Sequence, residues 1–161
     1  MRFYRVPVEE REVVGGYTLL RYRWKGLVEP GQFVMARTAG FPDTLDPLLA
    51  RPLSFYDHDG AVASLLLEVR GRGTALLDRS PEIEVTAPLG RSFSTDGFDG
   101  RAALLGGGVG VAPMKILSRC LDGLGVDYDL FLGFADSRTS RISRDFPGAG
   151  VATVDGSEGT T

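Results

Sequence analysis

An arginine, a proline and a serine stand close together at Arg51, Pro52 and Ser54, in the run Arg-Pro-Leu-Ser. The planar guanidinium of Arg51 presents several donors that match phosphate oxygens. Pro52 fixes the backbone beside it, and the small hydroxyl of Ser54 can donate to or accept from a ring nitrogen. At the start of a strand, such residues can hold a flavin from two sides. The alternative interpretation is an ordinary edge strand after a turn.

A second group that could bind phosphate is Gly71-Arg72-Gly73-Thr74, which follows the apolar residues 65–69. Glycines allow the backbone to approach a phosphate closely, and the residues after Thr74 have a helical pattern. We therefore expect Thr74 to cap a helix whose N-terminal amides contribute to an anion site. A plain capped turn would have the same pattern.

A glycine-rich turn, residues 106–110, follows the apolar residues 102–105 and precedes a helical pattern that starts near Pro113. Such a turn between strand and helix is typical of nucleotide-phosphate binding, and proline suits the first helical position. The pattern departs from the dinucleotide fingerprint Gly-x-Gly-x-x-Gly because Pro113 stands where the last glycine would be. A glycine-rich strand-to-helix turn without a ligand is the alternative.

The overall composition excludes several functions. The chain has 161 residues and a formal net charge of -3, which disfavours nucleic acid as a partner because phosphate backbones require a concentrated basic face. The single cysteine, Cys120, can form neither an internal disulfide nor, alone, a cysteine-ligated iron–sulfur cluster. No apolar run is long enough to span a bilayer, and charges lie among residues 1–10. The sequence therefore predicts a cytoplasmic protein with no membrane partner.

Two kinds of secondary-structure pattern divide the chain near residues 97–100. Before this point, β-rich runs alternate with turn signals at residues 3–8, 17–24, 32–37, 53–56, 61–69 and 82–86. They predict a six-stranded antiparallel barrel. After it, a strand, a helix and two further strands are predicted at residues 101–105, 112–121, 128–132 and 150–154. This is the pattern of a partial parallel α/β sheet, and the expected domains are residues 1–98 and 99–161.

In this order the motifs resemble those of the ferredoxin-NADP reductase superfamily, and in particular the electron-transfer subunits of bacterial dihydroorotate dehydrogenases. The residues that carry the resemblance are 30–35 (Pro-Gly-Gln-Phe-Val-Met), 46–54 (Asp-Pro-Leu-Leu-Ala-Arg-Pro-Leu-Ser), 71–74, 87–90 (Ala-Pro-Leu-Gly), 106–114 and 155–157 (Asp-Gly-Ser). The resemblance implies a barrel that binds FAD, followed by a domain that binds a nicotinamide nucleotide.

The resemblance also implies which residues bind each cofactor. Arg51 and Ser54 would hold the flavin phosphate and ring edge, and the turn at residues 71–74 would receive the FAD pyrophosphate. The full set expected to bind FAD is Arg51, Pro52, Leu53, Ser54, Glu68, Val69, Gly71, Gly73 and Thr74. The set expected to bind the pyrophosphate of NAD is Gly107, Gly108 and Gly110.

Two features depart from the family pattern. Leu53 stands where plant-type reductases have an aromatic residue that covers the flavin ring, which favours the dihydroorotate-type branch. The sequence also stops at Thr161, where the family continues with more of the nucleotide domain and a cysteine cluster that binds a two-iron two-sulfur centre. We therefore expect a fragment, or a chain missing its end, that reduces its flavin poorly. An iron–sulfur cluster is expected for the family, but this chain has no ligands for it.

The activity implied by the resemblance is hydride transfer between C4 of the nicotinamide and N5 of the flavin, with the protein mainly orienting the two rings. Electrons would pass to a catalytic dihydroorotate dehydrogenase subunit of a hetero-oligomer in pyrimidine biosynthesis. NADH is expected over NADPH because Asp136 and Asp155 would repel a 2′-phosphate, although Arg138 and Arg141 could bind one. The alternatives are a diaphorase subunit of a hydrogenase or sulfide reductase, and a non-catalytic FAD-binding or assembly module.

Overall fold

A computed structural model of the protein describes residues 1–40, 49–95 and 97–159. Within these ranges, two sheets follow each other along the chain. The strands of the first sheet are β1 (Phe3–Pro7), β2 (Glu10–Val14), β3 (Tyr17–Arg23), β4 (Phe33–Thr38), β5 (Arg51–His58), β6 (Val62–Glu68) and β7 (Glu82–Thr86). A helix, α1 (Arg72–Arg79), connects β6 to β7. Asp46, Pro47 and Leu48 of the predicted flavin motif lie outside the described residues.

The first sheet is antiparallel, with the strand order β1-β7-β4-β5-β6-β3-β2. The residues between β1 and β2 bring its two edges together. The amide of Val8 donates to the carbonyl of Pro81 at 2.8 Å, next to β7, whereas the amide of Glu9 donates to the carbonyl of Arg21 at 2.9 Å on β3. Consecutive residues thus bind to opposite edges, so the sheet curls into a barrel-like wall. The predicted antiparallel barrel is confirmed.

The barrel has seven strands instead of the predicted six, because β2 does not show the hydrophobic pattern of a strand. Its five residues are mostly charged or exposed, and only Val14 is buried. Arg21 on β3 holds the strand through ion pairs with Glu10 at 2.7 Å and with Glu12 at 3.2 Å. Charged side chains are common on edge strands, which have one side open to water.

The second sheet has three parallel strands in the order β10-β9-β8, which confirms the predicted α/β arrangement. Its elements are β8 (Ala102–Gly107), a 3-10 turn (Gly108–Val111), α2 (Ala112–Leu124), β9 (Tyr128–Phe134), a second 3-10 turn (Thr139–Asp145) and β10 (Gly150–Thr153). Leu104 and Leu130 are buried against α2, whereas Leu105 and Phe131 are exposed on the opposite face. Across the described ranges, the helices are too short or too polar to cross a membrane.

A continuous core joins the two sheets. Tyr17 and Tyr56 from the barrel lie in one buried cluster with Met114 of α2 and Leu132 of the parallel sheet. Ile116 of α2 also reaches the cluster that fills the barrel interior. Burial of these apolar side chains fixes α2, and the turn that precedes it, against one wall of the barrel.

Candidate functional site

The seam between the barrel and the parallel sheet contains a cleft of about 270 Å³. Its walls are the start of β5, the end of β6 with the turn into α1, and the glycine turn before α2. The lining residues that the sequence predicts are Arg51, Pro52, Leu53, Ser54, Glu68, Thr74 and Gly110. Those that the sequence analysis missed are Leu66, Leu67, Arg70, Val109 and Ala112. The remaining predicted residues are sequence neighbours of the lining residues, namely Val69, Gly71, Gly73, Gly107 and Gly108.

Strand pairing explains why the three motifs meet. β5 and β6 are antiparallel neighbours with Phe55 opposite Leu65, so the first residues of β5 lie beside the last residues of β6. The glycine turn lies at the carboxyl end of β8, the end at which ligands bind in open α/β sheets. Because α2 packs against β5, the glycine turn that precedes α2 also lies beside the start of β5.

Arg51 and Gly73 meet in the wall of this cleft. A Cβ atom on Gly73 would lie 2.6 Å from Nη2 of Arg51 and 2.9 Å from its Cζ, so a side chain there would have to displace the guanidinium. Arg51 also donates through Nη1 to the carbonyl of Leu49, which orients the group. The first two motifs therefore form one cationic site beside the N-terminus of α1.

Thr74 does not occupy the cap position that the sequence predicts. Helix α1 begins at Arg72, so its N-cap residue is Gly71 and Thr74 is the third residue of the helix. The Thr74 hydroxyl accepts from the amides of Arg70 at 3.0 Å and Gly71 at 3.1 Å, and it donates to the carbonyl of Gly71 at 2.9 Å. It therefore closes the turn by reaching back, in the manner of a capping box, because a glycine cap has no side chain of its own.

Residues 52–54 contribute differently to the wall because neighbouring strand residues point to opposite faces. Leu53 is 8% exposed and belongs to the core of the barrel. Ser54 is half-buried and Pro52 is exposed. Among these three residues, Ser54 therefore offers the polar group to a ligand, whereas Leu53 mainly stabilises the strand.

Glu68 and Arg70 form an ion pair at the end of β6. Nε of Arg70 donates to Oε2 of Glu68 at 2.8 Å, and this hydrogen bond raises the pKa of the guanidinium. Tyr17 lies opposite Glu68 in the strand register, and its hydroxyl is 3.8 Å from where a Cβ on Gly108 would lie. Burial, and then the charge of Glu68, raise the pKa of Tyr17. Arg70 could have been identified from the sequence only by its position next to the glycines of residues 71–73. No local sequence pattern indicates Tyr17.

The glycine turn uses its glycines for three purposes. Gly106 lies against α2, since a Cβ there would be 3.1 Å from Cγ of Met114 and from Cα of Val111. Gly108 has a φ of +52°, in the left-handed region that favours glycine. Gly110 lines the cleft, and a Cβ there would have no neighbour within 4 Å among the described residues. The turn therefore leaves its backbone open to a ligand at Gly110.

The two carboxylates expected to select the nucleotide also stabilise the turns that contain them. Oδ1 of Asp136 accepts from the amide of Thr139 at 2.7 Å and from its hydroxyl at 2.8 Å. Oδ1 of Asp155 accepts from the amide of Ser157 at 3.0 Å and from its hydroxyl at 2.6 Å. Hydrogen bonds from Thr139 lower the pKa of Asp136, and those from Ser157 lower the pKa of Asp155, so both side chains are negatively charged at neutral pH.

A cationic group, a helix N-terminus and an open glycine turn suit a ligand that carries phosphates, and the apolar lining suits a flat ring. Among the described lining residues, Glu68 is the sole carboxylate, and it is paired with Arg70. The arrangement therefore favours binding and orientation of cofactors over acid–base catalysis by a side chain.

No protein-family profile matches the chain. Sequence comparison does find relatives. The dihydroorotate dehydrogenase B (NAD(+)) electron transfer subunit of Clostridium acetobutylicum is 32% identical over 154 residues, which cover 94% of this chain and 61% of the relative. The subunit of the same name from Geobacillus thermodenitrificans is 39% identical over 141 residues, which cover 81% of this chain and 54% of the relative. The chain thus spans little more than half the length of these relatives.

Structural comparison agrees on the fold. The structure of an NADH-dependent reduced ferredoxin-NADP oxidoreductase matches with a TM-score of 0.79 at 20% identity, over 97% of this chain and 59% of that one. At this identity the likeness concerns the fold alone. Over most of its length, the chain is similar in sequence to the dihydroorotate dehydrogenase B electron-transfer subunits, and its fold is ferredoxin-NADP reductase-like, as its motifs predict.

Proposed function

We propose that the chain is a FAD-dependent electron-transfer subunit that passes electrons between a nicotinamide nucleotide and a dihydroorotate-oxidising partner. The observation that carries the proposal is the single cleft formed by the start of β5, the turn into α1 and the glycine turn. The names of the relatives, as electron transfer subunits, support a dihydroorotate-oxidising partner subunit and therefore a hetero-oligomer. A role in pyrimidine biosynthesis stays a prediction. A cytoplasmic location stays a prediction.

The residues of the cleft fit a flavin dinucleotide. Because Gly73 has no side chain, the guanidinium of Arg51 lies beside the N-terminus of α1, where it would hold phosphate oxygens. Ser54 would meet the polar edge of the flavin ring, and Leu66 and Ala112 give the cleft apolar walls. When bound, FAD supplies two-electron redox chemistry with a nicotinamide nucleotide.

We assign residues 1–98 to FAD binding and residues 99–161 to nucleotide binding. This division is supported by the interval between the two sheets, from Thr86 at the end of β7 to Ala102 at the start of β8. Gly108 and Gly110 would approach the pyrophosphate of NADH, since their backbone lies at the strand-to-helix turn without side chains. The protein then contributes mainly by holding the two cofactors in a productive orientation.

The residues of this chain do not fit an iron–sulfur cluster. Such clusters require four ligands, mostly cysteines, whereas the sequence contains one cysteine, Cys120, which is half-buried on α2.

Visible spectroscopy of the purified protein tests the proposal. FAD should bind and give a yellow protein, and anaerobic NADH should bleach it slowly. A protein that binds no FAD would contradict the proposal, and a yellow protein indifferent to NADH would indicate a non-catalytic binding module. Transfer of electrons from the reduced protein to a dihydroorotate-oxidising subunit, but not to a hydrogenase or a sulfide reductase, would identify the partner class.

Loss of Arg51 gives a sharper test of the site. Arg51→Ala removes charge-assisted hydrogen bonds worth about 1.5–3 kcal/mol, so FAD affinity should fall about 10- to 150-fold. Arg23→Ala is the control, because the Arg23 guanidinium pairs with Glu9 at 2.6 Å at the other end of β3 from Tyr17. Equal FAD affinity in Arg51→Ala and the parent protein would show that Arg51 is wrongly assigned.

A further inference from the structure

A hydrogen bond between Tyr56 and Asp145 joins the barrel to the parallel sheet. The hydroxyl of Tyr56, on β5, donates to Oδ2 of Asp145 at 2.7 Å, although the residues are 89 positions apart. Tyr56 is buried, and burial followed by the Asp145 hydrogen bond raises the pKa of its phenol. The phenol therefore stays protonated and able to donate at neutral pH.

The main chain of Asp145 also forms a hydrogen bond with α2. Nζ of Lys115 donates to the main-chain oxygen of Asp145 at 2.5 Å and lies 5.5 Å from the ring centre of Phe146. The Phe146 ring in turn meets the Tyr56 ring edge to face, with centroids 6.0 Å apart. We call Tyr56, Lys115, Asp145 and Phe146 the seam cluster.

Two residues of the seam cluster lie on the same elements as the walls of the proposed cofactor cleft. Tyr56 is two residues after Ser54, which lines the cleft on β5. Lys115 is three residues after Ala112, which lines the opposite wall at the start of α2. The phenol–carboxylate contact and the Lys115 hydrogen bond to the Asp145 main chain together connect the strand proposed for the flavin to the helix that follows the glycine turn.

We propose that Tyr56 is a positioning residue which, through Asp145 and Lys115, sets the separation between the flavin strand β5 and the glycine turn. The inference rests on the proposed function, because that separation matters if a hydride passes between a nicotinamide and a flavin bound on the two walls. Hydride transfer requires near contact of the two reacting atoms, and displacements of about 1 Å can cost about a hundredfold in rate.

Other contacts across the seam keep the two sheets together when the Tyr56 hydroxyl is removed. Arg144 pairs with Glu12 on β2, and Arg119 of α2 pairs with Asp57, the residue after Tyr56. The apolar core between the sheets also stays in place. Loss of the hydroxyl therefore loosens the spacing without separating the sheets.

Tyr56→Phe is the test, because it removes the hydroxyl and keeps the ring against Phe146. Hydrogen exchange of the FAD-loaded protein should become about 3- to 10-fold faster at residues 112–119 and 139–146, since one hydrogen bond across the seam is lost. Flavin reduction at saturating NADH should slow about tenfold or more, while FAD affinity and the KM for NADH change less than about twofold.

Two further variants separate positioning from general destabilisation. Tyr128→Phe is the matched control, because burial and a hydrogen bond to Asp122 raise the pKa of Tyr128, but that contact joins β9 to α2 and does not cross the seam. It should leave hydrogen exchange at residues 139–146 and flavin reduction unchanged, whereas exchange in α2 can change because the Tyr128 hydroxyl also bonds to Ser118. Asp145→Asn keeps an acceptor oxygen for the phenol and should preserve most of the rate. Asp145→Ala removes the acceptor of the phenol and also the contact with Arg144 at 3.5 Å, so it should slow reduction at least as much as Tyr56→Phe.

The outcomes distinguish this inference from the proposed function. A parent protein that binds FAD but is not reduced by NADH would overturn the proposed function, and with it the kinetic role of Tyr56. If the parent is reduced but Tyr56→Phe shows parental seam exchange and parental reduction rates, only the positioning role is overturned. An equal loss of rate in Tyr128→Phe would also overturn it.

Discussion

The guanidinium of Arg51 occupies the space that any side chain on Gly73 would need, with Nη2 only 2.6 Å from the position of a Cβ. Gly73 is buried in the first turn of α1, whereas Arg51 begins β5. The atom that obstructs a side chain is the far end of a flexible arginine and not backbone. The contact therefore constrains the position of a charge more than it constrains the fold.

Gly73→Ala should weaken FAD binding while leaving the protein folded. The new methyl group displaces the guanidinium, so the charge-assisted phosphate contact is lost and affinity should fall about 10- to 150-fold. The melting temperature of the apoprotein should change by less than about 3 °C, because Arg51 can swing away. Fluorescence titration with FAD and thermal unfolding measure the two effects.

A double-mutant cycle and a neighbouring glycine supply the controls. In an Arg51→Ala background, Gly73→Ala should have little further effect on FAD affinity, because the group that it displaces is already absent. Gly71→Ala, at another residue proposed to bind FAD, is a control for the fold alone: its melting temperature should match that of the parent, since no described atom lies within 4 Å of a Cβ there and its φ of -173° is extended backbone. Additive losses from Gly73→Ala and Arg51→Ala would disprove the coupling.

Gly110→Ala should raise the KM for NADH without destabilising the protein. A Cβ at Gly110 meets nothing within 4 Å in the described part of the chain, so the fold has room for it. A nucleotide that approaches this backbone would meet the methyl group, and the KM should rise about tenfold or more while the melting temperature stays within about 2 °C. Gly123→Ala in α2 is the control, because alanine there should stabilise the helix by about 0.5–1 kcal/mol and leave KM unchanged. An unchanged KM in Gly110→Ala would remove Gly110 from the nucleotide site.

Local sequence patterns predicted most of the elements, and their failures have local causes. The hydrophobic pattern identified β3 by its alternation and β6 by its continuous apolar run, because the side chains of both strands are largely buried. It missed β2, whose run Glu-Arg-Glu-Val-Val places charges on an edge strand. It also placed the start of α1 three residues late, because a glycine N-cap with a threonine reaching back is not recognisable from capping side chains alone.

The candidate site likewise contains some features that the local sequence could indicate and others that it could not. Residues 51–54, 71–74 and 107–110 are contiguous motifs, so the sequence alone could identify them. The Arg51–Gly73 contact depends on how β5 and α1 are placed, and the Tyr56–Asp145 bond spans 89 positions. Neither has a periodicity or a spacing that could have indicated it.

Acidic pH should destabilise the protein by protonating Glu12, which pairs across the seam with Arg144. The substitution Glu12→Gln should remove this pH dependence. Burial alone would raise the pKa of Glu12, but hydrogen bonds from Arg144 and Arg21 outweigh it and hold the pKa below its ordinary value of 4.5. Ionised Glu12 therefore contributes stability that is present above pH 4.5 and is lost as pH falls through the lowered pKa. For a partly exposed pair we expect about 0.2–1 kcal/mol, or about 1–4 °C in melting temperature at pH 7.

Thermal unfolding between pH 3 and pH 7 measures this contribution. Glu12→Gln should be less stable than the parent at pH 7, and the difference should disappear at the acid end. Glu10→Gln is the control, because Glu10 pairs with the same Arg21 at 2.7 Å and the described contacts of Arg144 do not include it. A pH-independent difference between Glu12→Gln and the parent would contradict the assignment.

NADH should reduce the flavin more efficiently than NADPH, because the turn after β9 and the turn after β10 each carry an ionised aspartate. Hydrogen bonds lower the pKa of both Asp136 and Asp155, so both would repel a 2′-phosphate at neutral pH. Arg138 opposes this effect, but its guanidinium packs over Gly16 of the barrel, with Nη2 3.4 Å from where a Cβ on Gly16 would lie. The ratio of kcat/KM for the two nucleotides measures the preference.

Asp136→Asn tests the origin of the preference, because an asparagine oxygen can still accept from Thr139 and maintain the turn. Removing one repulsive charge should raise kcat/KM for NADPH about fivefold, with less than about a twofold change for NADH. Arg138→Ala should act in the opposite direction and lower kcat/KM for NADPH alone. If the parent protein is reduced as fast by NADPH as by NADH, the arginine outweighs the two carboxylates and the predicted preference is wrong.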